Sequence, residues 1–175
     1  MTAPDPASLA EQANLAYKNR QYKQAAALFH QAAEAFSLGH NNLLAAEMKN
    51  NESVSHLQAG NPQKALEAVL GTDKTFESAK DARRQAAAIG NQAAALDELG
   101  RLAEALALYE RSAELFAGIK EGDMRALMLK SAAGVKLKRG RVIDAALQMR
   151  EALEAKARPS PFERLLQFLL RLRPW

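Results

Sequence analysis

Small and large apolar residues recur along this chain at a fixed interval. Ala25, Ala65, Ala105 and Ala145 stand 40 residues apart. Four residues after each come Phe29, Val69, Tyr109 and Met149, and seven after come Ala32, Thr72, Ser112 and Ala152. Eleven residues after the first three lie Phe36, Phe76 and Phe116, with Lys156 in the fourth place. A residue four positions along a helix covers the next turn of the same face. The register runs without a gap, so it marks an internal repeat.

Each unit reads as helix, tight turn, helix. The turns fall at Arg20-Gln21, Gly60-Asn61, Gly100-Arg101 and Gly140-Arg141. Glycine just past a helix end accepts the left-handed conformation that stops it. Asn61-Pro62 and Asp5-Pro6 read as a cap followed by a proline in the first turn. The pattern predicts helices over 6–19, 22–38, 41–59, 62–79, 81–99, 102–118, 122–139 and 142–157, with Gly71 kinking or interrupting the fourth. The repeated alanines belong where two helices cross closely, because a larger side chain would push the pair apart. One hairpin cannot bury its own apolar faces, but a stack of four can.

The segment Ile89-Gly90-Asn91-Gln92-Ala93, continuing through Gly100-Arg101-Leu102-Ala103-Glu104-Ala105-Leu106-Ala107-Leu108-Tyr109 to Ala113, resembles a tetratricopeptide repeat. The 40-residue period is similar to the longer variety in kinesin light chains and many bacterial regulators. The resemblance covers about residues 6–157. It implies an all-α fold: a right-handed superhelical solenoid of four TPR-like hairpins (about 6–40, 41–80, 81–120 and 121–157), then a linker and amphipathic helix over 158–175. It also implies binding of a protein or peptide, without naming which.

In that family the first helix of each hairpin lines a concave surface, and an Asn there hydrogen-bonds the backbone of an extended peptide. Asn51 and Asn91 occupy matching places; Glu11 and Ser131 stand in the other two repeats, and Asn14 lies one turn along the first helix. A carboxamide suits the role because it donates and accepts at once. The same surface is expected to carry Tyr17, Asn50, Leu57, Lys130, Leu137 and Lys138, the lysines attracting acidic side chains or a C-terminal carboxylate. Ala10 and Ala87, at places where chaperone-binding members carry basic clamp residues, argue against a chaperone-tail clamp.

Past residue 157 the pattern changes. Arg158-Pro159-Ser160-Pro161 breaks the helix, and Ser160 can cap a new one. Phe162, Leu165, Leu166, Phe168, Leu169, Leu170 and Leu172 cover a broad arc of it, and Trp175 ends the chain. Such a helix can dock on Val142, Ile143, Ala146, Leu147 and Leu153, which have no fifth hairpin to cover them. Alternatively it binds an anionic membrane surface or a second copy.

Composition narrows the class. The 175 residues are 48% hydrophobic and contain no cysteine, which excludes disulfides, zinc–thiolate sites and thiol nucleophiles. Charge is uneven: residues 1–120 hold 12 Lys/Arg against 14 Asp/Glu, and 121–175 hold 12 against 6. The beginning of the chain has no basic patch or apolar stretch, so a cytoplasmic protein is expected, with the membrane periphery as the alternative. No phosphate loop, nucleophile elbow or acid–base carboxylate pair stands out; neither catalysis nor a cofactor is expected, and nucleic acid is not an expected partner. His30, His40 and His56 are spaced 10 and 16 apart, and the spacing pairs none of them on a helix face for a metal.

Overall fold

A computed structural model describes residues 5–156 and 159–165. Among these residues the chain is all-helical, and consecutive helices pack in pairs. The elements are α1 (Pro6–Lys18), α2 (Tyr22–Leu38), α3 (Asn42–Gln58), α4 (Pro62–Val69), α5 (Thr72–Ser78), α6 (Ala82–Glu98), α7 (Leu102–Gly118), α8 (Gly122–Lys138) and α9 (Val142–Ala155). Residues 161–165 begin a further helical stretch. Contact runs along the chain, α1 on α2, α2 on α3, α3 on α4, and α5 on α6 through to α8 on α9; α3 and α4 both touch α6 as well.

The expected helix boundaries hold to within a residue or two, and Gly71 interrupts rather than kinks. Gly71 adopts φ 81° as the residue before α5, and Thr72 Oγ1 donates to Val69 O at 2.8 Å, closing the break. The return half of the second unit is therefore two short helices, α4 and α5.

The backbone repeats twice as often as the sequence. Left-handed residues fall every 20 positions: Arg20, His40, Gly60, Lys80, Gly100, Lys120 and Gly140, with φ from 57° to 74°. At each, the next N–H bonds the carbonyl five residues back at 2.9 Å, as Gln21 to Ala16, Asn41 to Phe36 and Arg101 to Leu96 do. This is the six-to-one bond of a helix-ending Schellman turn. The glycines of the first turn class were visible in sequence. His40, Lys80 and Lys120 were not, because they bear a Cβ in a conformation that costs such residues energy.

Capping follows chemistry more closely than expected in some places and less in others. Asp5 Oδ2 accepts from Ser8 N at 3.1 Å, Asn41 Oδ1 from Leu44 N at 3.1 Å, and Asp81 Oδ1 from Arg84 N at 2.9 Å. Asn61 does not cap α4 through its side chain; its Nδ2 donates to Ala59 O at 3.3 Å instead.

Burial carries the 40-residue register. Ala25, Ala65, Ala105 and Ala145 are buried, as are Phe29, Val69 and Tyr109. Met149, the fourth in that series, is exposed, whereas α8 packs on α7 beside Tyr109. Phe76 and Phe116 are fully enclosed, and each buried aromatic contributes about 1.5–3 kcal/mol of apolar transfer. Gly90 in α6 permits a close approach: a Cβ there would lie 2.8 Å from Met128 Sδ and 3.4 Å from Ser112 Oγ. Ser112 uses that proximity, donating to Ala86 O at 2.7 Å inside the core.

Candidate functional site

The residues expected to face a partner fall into three groups. Asn51 and Asn91 lie at equivalent places on α3 and α6, which touch; both are partly exposed. Among the described residues neither carboxamide has a hydrogen-bond partner within the chain. Ser131, the matching residue on α8, hydrogen-bonds Tyr109, whose hydroxyl is pushed up to about 12 by burial, with the Asp97 carboxylate adding to the rise. Asn14 is exposed, and Tyr17 and Leu57 are partly exposed. Tyr17 packs edge-on against Tyr22, ring centres 5.4 Å apart, across the first turn.

A second group is committed inside the molecule. Asn50 is buried, its Oδ1 without a hydrogen-bond partner, so it is not a surface residue. Its place matches Gly90, where α6 runs close to α7 and α8, and the crowding that suits glycine there encloses the side chain here. The two lysines meant for an acidic partner are already paired: Lys138 Nζ lies 2.7 Å from Asp97 Oδ1, and Lys130 Nζ lies 3.6 Å from Glu163 Oε1. Leu137, beside Lys138, remains exposed.

The third group is the C-terminal helix. Ser160 and Glu163 form a capping box: Glu163 N donates to Ser160 Oγ at 3.2 Å, and Ser160 N donates to Glu163 Oε2 at 2.8 Å. Lys156 Nζ sits 2.8 Å from the same carboxylate, which is held down at about 2 by Lys156 first and the Ser160 N–H second. Glu163 thus ties the start of this helix to the end of α9 and to Lys130 of α8. Phe162 and Leu165 are exposed. So are Val142, Ile143 and Leu147 of α9, while Leu153 is buried. Leu166, Phe168, Leu169, Leu170, Leu172 and Trp175 lie outside the described residues.

Sequence spacing missed one cluster. His30 of α2 and His56 of α3 converge on Glu52 of α3. His30 Nδ1 donates to Glu52 Oε1 at 3.2 Å, and His56 Nε2 lies 3.7 Å from the same oxygen. His30 Nε2 faces Glu34 at 3.5 Å. Burial pushes the Glu52 carboxyl up, against the opposing pull of His30 and Lys49. Burial, then Lys64 and His30, push the His56 imidazole down, and its buried Nδ1 has no hydrogen-bond partner. No group of three His, Asp or Glu among the described residues is arranged to hold a metal ion. The available signal was the four-residue step from Glu52 to His56; His30 joins only because α2 packs on α3.

These side chains line a groove of 880 Å³ over α3, walled by α2 and by α4 with its flanking turns. No helix among the described residues is long and apolar enough to cross a membrane. No family model matches the sequence, and no curated protein matches it.

Proposed function

We propose that this chain is a TPR-like helical-repeat module that holds a peptide or protein segment against the face bearing Asn51 and Asn91. The observation that supports the reading is the pair itself: two carboxamides, one repeat apart on touching helices, partly exposed and without internal partners. Each offers a donor and an acceptor to an extended backbone. Tyr17 and Leu57, partly exposed on first helices of their hairpins, would supply apolar contact, and the superhelical stacking that the 40-residue period implies would make the face concave. The reading is a binding module rather than an enzyme.

The test starts from a pull-down with the intact chain from its source organism, followed by calorimetry with the captured partner. Asn51→Ala combined with Asn91→Ala should weaken binding by roughly tenfold, about 1.4 kcal/mol, while the melting curve stays unchanged. Unchanged affinity removes the asparagine reading.

A second reading has its own observation. Phe162, Leu165, Val142, Ile143 and Leu147 are all exposed near the C-terminal end of the described chain. That surface fits attachment to an anionic membrane or to a second copy through residues 162–175. Deleting 158–175 should then abolish vesicle binding or self-association and leave the partner affinity as it was.

A further inference from the structure

We propose that the groove over α3, between α2 and α4, binds an acidic peptide segment and that binding takes up protons at the His30–Glu52–His56 cluster. This surface is separate from the asparagine face. On α3 the groove is lined by Lys49, Glu52 and His56, a stripe spaced three and four residues apart, whereas Asn51 lies on a different side of the helix.

Charge and shape favour that occupant. Lys23, Lys49 and Lys64 are exposed on the groove walls, and their ammonium groups make no ion pair or hydrogen bond among the described residues. The other long groove-lining acid, Glu67, already accepts from Gln63 Nε2 at 2.9 Å. Glu52 is recessed, its side chain 10% exposed and engaged by two imidazoles, so the accessible field is that of three lysines against the one exposed carboxylate of Glu67, net positive. Ala26, Ala27, Ala68 and Leu70 lie between them and give small apolar contacts. An 880 Å³ open groove that interleaves lysines with apolar side chains suits a segment that mixes carboxylates with small apolar side chains.

Proton uptake follows from what faces the cluster. Glu52 meets His30 and Glu34 from α2 and Lys49 and His56 from its own helix. His56 meets Glu52 beside it, His30 from α2, and Lys64 and Glu67 from α4. An arriving carboxylate adds negative charge beside all three titratable groups and favours their protonated forms. The free groove disfavours a charge on Glu52 and on His56 through burial, so both have proton-dependent charge to give. The buried, unpartnered His56 Nδ1 can carry the proton taken up.

The test uses the full chain and a tetramethylrhodamine-labelled Glu/Ala peptide of about ten residues, followed by anisotropy at pH 6.0 and 7.5. The label and the peptide's glutamates keep their charges across that interval, so a pH dependence that the cluster variant loses reports the cluster. Binding should be about 3- to 10-fold tighter at pH 6.0; one proton taken up over the interval sets a ceiling of about 30-fold. Lys49→Ala with Lys64→Ala should weaken binding about tenfold or more, whereas Lys74→Ala with Lys80→Ala, two exposed lysines outside the groove, should change it less than twofold. The triple variant His30→Gln, Glu52→Gln, His56→Gln should bind and lose the pH dependence. Equal weakening by the two lysine pairs, equal affinity at the two pH values in the wild-type chain, or binding to phosphatidylserine vesicles without binding to the peptide would each overturn the proposal.

Discussion

Two grooves of this molecule share a sequence register and the turns that enter them, and differ in chemistry. The first lies over α3 between α2 and α4; the second lies over α8 between α7 and α9. Their residues match at a separation of 80, so His30 corresponds to Glu110, His56 to Lys136, and Glu52 to Ala132. In the second groove Lys136 Nζ lies 2.9 Å from Glu110 Oε1 and also bonds Gln148, which stands where the first groove has Ala68. Arg125 closes on Glu151 at 2.7 Å nearby. The second groove holds two separate cavities, of 270 and 420 Å³, against one of 880 Å³ in the first. A repeat fixes where side chains meet; the side chains decide whether the meeting is a permanent ion pair or a titratable cluster in an open groove.

The largest expected effect comes from forcing the second groove to resemble the first. Ala132 is fully buried, so Ala132→Glu should destabilise the fold by about 3 kcal/mol or more through overpacking and a buried charge. A urea-derived unfolding free energy that fell by less than about 1 kcal/mol would mean that α8 has room for the carboxylate α3 carries. Breaking the second groove's own pair comes next. Lys136→Ala should cost roughly 1–2 kcal/mol, since the lysine is mostly buried while Glu110 stays partly in water. That cost should be constant between pH 5.5 and 8, where ammonium and carboxylate side chains keep their charges.

The first groove should behave oppositely with pH. Because the folded state raises the proton affinity of Glu52, ionising it costs stability as pH climbs through and above its ordinary 4.5. Glu52→Gln should therefore stabilise the chain at pH 7 by up to about 1 kcal/mol after allowance for solvent screening, and the gain should shrink below pH 4.5. Melting curves at pH 4 and 7 check the sign, and a gain that is larger at pH 4 contradicts the burial of that carboxylate. The smallest effect concerns the turns that lead into α3 and α8. His40 and Lys120 hold φ at 58° and 60°. His40→Gly and Lys120→Gly should each change stability by about 0.5–1 kcal/mol in the favourable direction, and by the same amount, because the strain relieved is the same. Unequal shifts in denaturation midpoint would break the claim that the turns entering the two grooves are equivalent.

Much of this fold was legible in the chain. Helix limits followed from the apolar register and from glycines at 60, 100 and 140, because a left-handed turn at a helix end asks for a residue without a Cβ. The four alanines announced buried positions because only a small side chain fits there, and all four are enclosed. The asparagine pair was legible as well, since equal spacing placed Asn51 and Asn91 at equal stations on their helices. Less was readable in the polar positions: Asn50, Lys130 and Lys138 looked available in sequence, but whether a polar side chain is free depends on what packs beside it.

The sequence by itself determined the period, the helices and the small residues at their contacts, all of which are set by local conformational preference and by spacing along one helix. Only the tertiary structure decided the chemistry between helices. His30 lies 22 residues from Glu52 and Lys138 lies 41 from Asp97, and no helical period links either pair. The same holds for Lys130 with Glu163, which meet only because the chain turns back after α9. Such contacts join different helices, and their distances depend on how those helices are stacked. Packing also set the proton affinities of Glu52 and His56, because burial is a property of the neighbours a side chain acquires and is written nowhere in its own position along the chain.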